Sequence, residues 1–204
     1  MAKGTLFVLS GPSGVGKSTL CTRLREEFPE LGLSVSYATR APRAGEVDGV
    51  HYHFVSRERF DEMIEADAFV EWAEVHGNRY GTAWSEVRNR LDNGLSVLFD
   101  IDWQGAVNLR RAFPETVTVM VLPPSLDELE RRLRGRATDS EAVILQRLEN
   151  ALGEIQQMPR FEFAVVNEDL ESSYNILRSV YIAAQNRVTL KAEDLLLRFS
   201  SILR

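Results

Sequence analysis

The segment Gly11–Thr19 constrains the fold and the chemistry of this chain more than any other part of the sequence. It fits the pattern G-x-x-x-x-G-K-[ST], it follows the apolar run Thr5–Leu9, and it precedes apolar residues at helical spacing, namely Leu20, Leu24 and Phe28. A strand, a glycine-rich loop and a helix in this order form a phosphate-binding loop, in which backbone N–H groups and the helix N-terminus face a phosphate group. The segment therefore predicts a nucleoside triphosphate site in an α/β fold.

The side chains around this loop have distinct predicted roles. Lys17 can reach the outer phosphates of the nucleotide, and the Ser18 hydroxyl can bind Mg²⁺. Asp100 and Asp102 follow a hydrophobic strand pattern, where proteins with this loop carry carboxylates near Mg²⁺. Ser18 and Asp100 are the predicted metal ligands, and the sequence leaves open which of the two aspartates lies closer to the metal. The predicted nucleotide-binding residues of the loop are Gly11, Pro12, Ser13, Gly14, Val15, Gly16, Lys17, Ser18 and Thr19.

Length, charge and cysteine content restrict the class of protein. A chain of 204 residues fits one domain, or one domain with insertions. A net charge of −6 argues against general binding to nucleic acid, and no apolar run is long enough to span a membrane. Cys21 is the only cysteine, which suits a reducing cytosol, and the first strand begins too early to leave room for a signal peptide. We expect a cytoplasmic protein without nucleic-acid or membrane partners, and the sequence leaves open whether it forms a homo-oligomer.

Short apolar runs alternate with helical patterns along most of the chain. The predicted strands are Thr5–Leu9, Ser96–Ile101, Val117–Leu122 and Phe161–Val166, with a shorter one near Leu33–Tyr37. The predicted helices are Lys17–Phe28, Trp84–Leu91, Gly105–Phe113, Leu126–Leu133, Glu141–Gln157 and Leu170–Leu190. Alternating βα units of this kind predict a parallel sheet flanked by helices on both faces.

Two stretches interrupt this alternation and are predicted to be insertions. Residues 36–82 are polar and aromatic, and their mixed patterns predict a small α+β unit. Residues 125–158 predict a helical hairpin, whose second helix begins at the capping-box pattern Thr138–Glu141. Insertions on a rigid core often carry the moving parts of a protein. The predicted core then consists of residues 1–35, 83–124 and 159–204.

The first insertion opens with side chains that can bind a second phosphate group. Arg40 and Arg43 offer planar, multi-donor forks, and Pro42 between them stiffens the turn. Tyr52 and Tyr80 can each add a hydroxyl donor. Two neighbouring arginines in a surface loop are more often simply solvated, but the nearby phosphate-binding loop favours a site for a monophosphate.

Six motifs follow one another over nearly the whole chain: Gly11-x4-Gly16-Lys17-Ser18, Ser36-x2-Thr39-Arg40-x-Pro42-Arg43-x-Gly45-Glu46, Phe69-Val70-Glu71-Trp72, Tyr80-Gly81-Thr82, Asp100-Ile101-Asp102-x-Gln104-Gly105, and Arg132-x3-Arg136 followed by Arg147. Together they closely resemble the guanylate kinase family of the bacterial type. The resemblance implies the fold of a P-loop nucleoside monophosphate kinase, with a GMP-binding insertion at residues 36–82 and an ATP-covering lid at residues 125–158. It further implies Mg²⁺-dependent transfer of the γ-phosphoryl group of ATP to GMP, giving ADP and GDP in purine nucleotide metabolism.

The resemblance also assigns roles to individual residues. Those implied to bind GMP are Ser36, Arg40, Arg43, Glu46, Tyr52, Glu71, Tyr80, Thr82 and Asp102. Those implied to bind ATP beyond the loop are Arg132, Arg136 and Asn167, the last near the adenine, and those implied to be catalytic are Lys17, Arg43, Arg136 and Arg147. Two residues depart from the usual family pattern: Arg79, where many relatives have tyrosine, and Trp103, where smaller residues are common.

The chemistry of guanine supports Glu71 as the residue that recognises the base. Guanine presents N1–H and N2–H₂ along one edge, and a single carboxylate can accept from both. Adenine places an acceptor at N1, which would face a carboxylate lone pair, so a buried Glu71 would reject it. Ser36 and Thr82 hydroxyls can complete the contacts to the base.

Two other functions remain compatible with the pattern. Some domains that resemble guanylate kinase have lost catalysis and bind phosphorylated partners through the acceptor site, but the intact loop and the lid arginines argue against this here. A related kinase could act on another phosphorylated acceptor, such as a ribose phosphate. Glu71, Ser36 and Thr82 favour guanine over such an acceptor.

Overall fold

The structure, a computed structural model, describes residues 4–43, 45–75, 77–135 and 140–187, together with Leu196. In chain order its elements are β1 Leu6–Ser10, α1 Lys17–Glu27, β2 Gly32–Leu33, β3 Tyr37–Ala38, β4 His53–Phe54, α2 Arg57–Glu65, β5 Phe69–Val75, β6 Asn78–Ala83, α3 Trp84–Leu91, β7 Val97–Asp100, α4 Trp103–Ala112, β8 Val117–Leu122, α5 Leu126–Gly135, α6 Glu141–Ile155, a 3₁₀ turn Met158–Arg160, β9 Phe163–Val166 and α7 Leu170–Gln185.

The central sheet has five strands in the order β2-β7-β1-β8-β9, and every pairing in it is parallel. All residues of β1 are buried, because helices cover both faces of the strand. Phe7 and Leu9 pack with side chains of α1 and α7, whereas Leu6 and Val8 pack with side chains of α3 and α4. The predicted α/β class, a parallel sheet flanked by helices, is confirmed.

The parallel arrangement brings several strand ends to one edge of the central sheet. Leu9 of β1 pairs with Asp100 of β7, and the glycine-rich loop begins directly after β1. Because the carboxyl ends of parallel strands meet at the same edge, the loop and Asp100 lie side by side there. This edge is where the predicted nucleotide-binding residues gather.

A second, smaller sheet has the strand order β4-β3-β6-β5 and is mostly antiparallel. Helix α2 covers it, and Phe60, Met63 and Phe69 form a separate core beneath that helix. The single strand predicted near Leu33–Tyr37 is wrong: β2 belongs to the central sheet and β3 to the small sheet. Residues 36–82 contain α2 and nearly all of the small sheet.

Helices α5 and α6 form the predicted helical hairpin and share a small core made by Leu129, Leu133, Ile144 and Ala151. The loop between them, residues 136–139, lies outside the described residues, and so does most of the capping box. Ser140 precedes α6 as its N-cap without a side-chain hydrogen bond. Among the helices that the structure describes, none is both long and apolar enough to cross a membrane.

Candidate functional site

The glycine-rich loop has a backbone conformation that only glycine adopts readily. Gly11, Gly14 and Gly16 have φ angles of 142°, 90° and 98°, values that strain a residue with a side chain. Lys17 is the first residue of α1, and its ammonium donates hydrogen bonds to the carbonyls of Gly11 and Pro12. The lysine side chain therefore folds back across the loop, where it can meet a phosphate group.

The Val15 carbonyl is held from outside the loop by two distant side chains. The Asn167 amide Nδ2 donates to it at 2.7 Å, and the Arg132 guanidinium approaches it at 3.5 Å. Arg132 also donates to the Asn167 carbonyl at 2.9 Å and to a Glu128 oxygen at 2.7 Å. Sequence reasoning missed Glu128, although its position four residues before Arg132 on one helix is typical of an ion pair.

Helix α5 packs directly on the glycine-rich loop. A Cβ atom on Gly14 would lie 2.9 Å from a methyl carbon of Leu133 and 3.4 Å from one of Leu129. These leucines are fully buried, so the first helix of the hairpin is seated against the loop through apolar contacts. Arg132 reaches the loop from this seated helix.

Carboxyl groups near Lys17 have perturbed pKa values. Burial raises the pKa of Asp100, and the charge of Lys17 lowers it. Burial also raises the pKa of Glu154, on α6, which lies within electrostatic range of Lys17 and Asp102. Asp102 itself caps α4 by accepting the Gly105 N–H at 2.8 Å. Glu154 is a further acidic residue near Lys17 that sequence reasoning missed.

Arg136 and Arg147 are the two arginines that are predicted to act from the lid. Arg136, a predicted catalytic residue, lies outside the described residues. Arg147 lies half-buried on α6, seven residues before Glu154. Residues seven apart share a helix face, and Ile144 and Ala151 on that side are buried. Spacing could have found Glu154, since it repeats the position of Arg147 two turns later.

In the segment between β3 and β4, Glu46 binds both of the predicted phosphate-binding arginines. The Arg40 guanidinium donates to both oxygens of the Glu46 carboxylate, at 2.6 and 2.7 Å, and the Arg43 backbone N–H donates at 2.7 Å. These bonds, the one from Arg40 foremost, lower the pKa of Glu46 to about 2. The Arg40 guanidinium carbon lies 4.9 Å from the centre of the Tyr52 ring, which is 5.9 Å from the Tyr80 ring. Arg40, Tyr52 and Tyr80 are thus brought together around one polar surface.

The small sheet also contains a buried carboxyl group, that of Glu71. Glu71 on β5 is 6% exposed and accepts a hydrogen bond from the hydroxyl of its register partner Thr82 at 2.6 Å. Burial raises the pKa of Glu71 to about 7, and the charge of Asp102 contributes in the same direction. A Cβ atom on Gly105 would lie only 2.8 Å from a Glu71 oxygen, so the start of α4 closes against this carboxyl. Ser36 is also buried.

The two departures from the family pattern contact residues outside the predicted GMP-binding set. Arg79 forms ion pairs with Asp61 and Glu74, and its guanidinium lies over the Trp72 ring. Successive residues of a strand point to opposite faces of the sheet, so Arg79 and its neighbour Tyr80 lie on opposite faces. The Trp103 ring lies 5.9 Å from the guanidinium carbon of Arg160. Arg79 therefore belongs to the outer ion pairs between α2, β5 and β6.

Comparisons with known proteins agree along most of the chain. A family model described as guanylate kinase matches residues 3–184. A guanylate kinase of Nitratidesulfovibrio vulgaris is 52% identical over 179 residues, covering 88% of this chain and 86% of that protein. One of Chromobacterium violaceum is 46% identical over 184 residues, covering 90% and 88%. The crystal structure of guanylate kinase from Anaplasma phagocytophilum has a TM-score of 0.79 and 32% identity, covering 96% of this chain and 94% of that one.

Proposed function

Because the chain belongs to the guanylate kinase family, we propose that it transfers the γ-phosphoryl group of ATP to GMP, giving ADP and GDP. The observation that carries this proposal for the acceptor is the buried Glu71 carboxyl, paired with Thr82 and closed in by the start of α4. A buried acceptor of this kind needs a donor from the ligand, because an unpaired buried polar group is costly. Guanine supplies two donors on one edge.

The donor nucleotide is proposed to bind at the carboxyl edge of the central sheet. The proposed ATP-binding residues are those of the loop, Gly11–Thr19, with Arg132, Arg136 and Asn167. Lys17 is drawn across the loop by the Gly11 and Pro12 carbonyls, and its charge is compact and mobile enough to follow a phosphate during transfer. Phosphoryl transfer depends mainly on alignment and charge neutralisation. The rigid loop is proposed to align the phosphates, and the Lys17 ammonium to neutralise part of their charge.

The acceptor phosphate is proposed to bind where Arg40, Arg43, Tyr52 and Tyr80 converge. Glu46 holds the Arg40 guanidinium by both of its end nitrogens, which fixes the plane of the fork before a ligand arrives. Glu46 is therefore proposed to act on GMP through Arg40 and Arg43. Ser36, Glu71, Thr82 and Asp102 complete the proposed acceptor site at the base. The attacking atom is a phosphate oxygen that is already anionic at neutral pH, so this reaction needs no general base.

Mg²⁺ is the proposed cofactor, and Ser18 and Asp100 are the proposed residues to hold it. Hydroxyl and carboxylate oxygens are ligands that Mg²⁺ prefers, and the buried Asp100 carboxyl gains from a nearby cation. In the described part of the chain no group of three or more His, Cys, Asp or Glu residues could hold a metal by itself. This donor set fits an ion that nucleotide phosphates and water also ligate. When bound, the ion supplies positive charge to the phosphate oxygens.

The lid segment 125–158 is proposed to close over ATP and bring Arg136 and Arg147 to the transferring group. Arg147 shares its face of α6 with Glu154, which is within electrostatic range of Lys17, so this face is turned towards the loop. With Lys17 and Arg43, these two arginines form the proposed catalytic set. A cytoplasmic location goes with this proposal, since ATP and GMP are cytoplasmic metabolites.

The test of the proposal is release of ADP, measured in a coupled assay with ATP, Mg²⁺ and GMP, and repeated without GMP. We expect turnover that depends on GMP and very slow ATP hydrolysis in its absence, because an open lid does not assemble the catalytic arginines. Binding of GMP without ADP release would instead identify an inactive binding module.

A further inference from the structure

The contact between Asn167 and the Val15 carbonyl determines the orientation of one peptide in the glycine-rich loop. The Val15 carbonyl and the Gly16 N–H belong to the same planar trans peptide, so they point in opposite directions. Asn167 comes from the segment between β9 and α7, is 7% exposed, and donates to that carbonyl at 2.7 Å. A carbonyl held towards Asn167 leaves the Gly16 N–H facing the opposite side.

In a phosphate-binding loop, the side to which the N–H groups point is the interior of the loop. The Lys17 ammonium reaches back across this loop to the carbonyls of Gly11 and Pro12. In a phosphate-binding loop, the N–H groups around the lysine are the ones that meet phosphate oxygens. Without its partner, the Val15 carbonyl could rotate inward, where it would present an acceptor to an anion.

The Asn167 side chain lies directly against the backbone of Gly16. A Cβ atom at Gly16 would lie 2.4 Å from the Asn167 amide nitrogen, so glycine is required for the approach as well as for the φ angle of 98°. Arg132, on α5, donates to the backbone carbonyl of Asn167 and so helps to hold this residue in place. The Nε of Arg132 donates in turn to the Glu128 carboxylate. Two segments far from the loop thus act on the same carbonyl.

We infer that Asn167 is a positioning residue of the phosphate-binding loop, whose amide holds the Val15 carbonyl outward and so aims the Gly16 N–H at a nucleotide phosphate. The inference deepens the proposed function and rests on it for the identity of the nucleotide. It gives Asn167 a task that is independent of any contact with adenine. The consequence is that Asn167 should matter for a ligand that has phosphates and no base.

The experiment compares binding of Mg²⁺-ATP and of Mg²⁺-tripolyphosphate, which lacks base and ribose, by calorimetry. The variants are Asn167→Ala and Asn167→Asp, and the control is Asn175→Ala, an exposed asparagine on α7. Losing the hydrogen bond should weaken the binding of tripolyphosphate by about fivefold for alanine, and by more for aspartate, which places an acceptor against the Val15 carbonyl. The binding of ATP should weaken at least as much. The KM for GMP should stay unchanged, and Asn175→Ala should bind both ligands like the wild type.

Thermal melting shows whether the Asn167 variants are folded. If they are not, a second pair of variants tests the same inference. Glu128→Gln weakens the support of Arg132 without touching Asn167, and Glu130→Gln is its control, since Glu130 binds Arg134 elsewhere on the same helix. We expect Glu128→Gln to weaken the binding of both ligands equally, by about threefold, and Glu130→Gln to leave the binding of both unchanged.

The inference is overturned if Asn167→Ala weakens the binding of ATP and leaves the binding of tripolyphosphate unchanged, because the residue would then act through the base. Unchanged binding of both ligands, or no binding of tripolyphosphate by the wild type, also overturns it. Failure of the wild type to phosphorylate GMP, with the expected binding results intact, would instead count against the proposed function alone.

Discussion

Glu71 has the most unusual environment of the candidate site residues at the scale of a single side chain. Its carboxyl is buried, accepts the Thr82 hydroxyl, and lies near the charge of Asp102. A carboxyl in such a place binds a proton more readily than one in water, because ionisation is penalised by burial. Only the ionised form can accept from both donors of guanine, so the protonation of Glu71 should control acceptor binding.

We predict that kcat/KM for GMP falls as the pH drops through about 7, the raised pKa of Glu71. The free protein is protonated at Glu71 below this pH, and the proton must leave before guanine binds. Glu71→Gln has no carboxyl proton to lose, so it should not show this fall in kcat/KM. It should also lose about 2–4 kcal/mol of transition-state stabilisation with GMP. Titration of the GMP phosphate near pH 6 affects both proteins alike. Identical pH profiles in the two proteins would contradict the assignment of Glu71.

Lys17 is predicted to act on the transferring phosphate and to contribute little to folding. Its ammonium donates to the loop carbonyls of Gly11 and Pro12, so Lys17→Ala should keep the melting temperature within a few degrees while kcat falls by about 100-fold or more. Steady-state kinetics and thermal melting measure the two effects. A variant that keeps more than about a tenth of wild-type kcat would show that Lys17 is not needed in the transition state.

At the scale of elements, α6 carries Arg147 and Glu154 on one face, with Glu154 in electrostatic range of Lys17, and α5 is seated on the loop by Leu129 and Leu133. Movement of the lid is therefore expected to occur mainly beyond the seated helix. Arg136 follows α5 in the sequence, and Arg147 lies on α6. We expect Arg147 to act on the phosphates only when the hairpin closes.

Arg147→Ala should lower kcat by about 100-fold while changing the dissociation constant for GMP less than threefold, because the interaction forms only in the closed state. The control is Glu149→Ala, an exposed residue of the same helix. Calorimetry with GMP and steady-state kinetics give the two quantities. Near-wild-type kcat in Arg147→Ala would leave this arginine as a structural residue of the hairpin.

The sequence predicts local elements well and distant contacts poorly. The strand Val117–Leu122 and the helix Trp84–Leu91 have the predicted bounds, because buried strands and amphipathic helices have local periodic patterns. The split between β2 and β3 was not predictable, since sheet membership depends on pairing with strands far along the chain. Within the site, motifs identified the loop and Glu71. They could not identify the bond between Asn167 and Val15, which joins residues 152 positions apart.

At the scale of the whole molecule, two sheets carry the residues that are proposed to bind the two substrates. The central sheet positions the glycine-rich loop and Asp100, and the small sheet positions Glu71 and Thr82. Helix α4 joins the two, because it starts just beyond β7 and its first turn lies against the Glu71 carboxyl. The arrangement predicts an enzyme whose acceptor specificity depends on the small sheet and whose phosphate chemistry depends on the central one.

The most direct measurement of this claim is an acceptor panel with ATP and Mg²⁺, comparing kcat/KM for GMP, AMP, IMP and ribose 5-phosphate. GMP should exceed AMP and ribose 5-phosphate by about 10⁴-fold or more, because a buried site built for donors rejects ligands that lack them. IMP keeps N1–H and lacks the N2 amino group, so it should fall between GMP and AMP. Comparable rates with AMP or with ribose 5-phosphate would contradict the account, since the buried carboxyl of Glu71 would then have no part in choosing the acceptor.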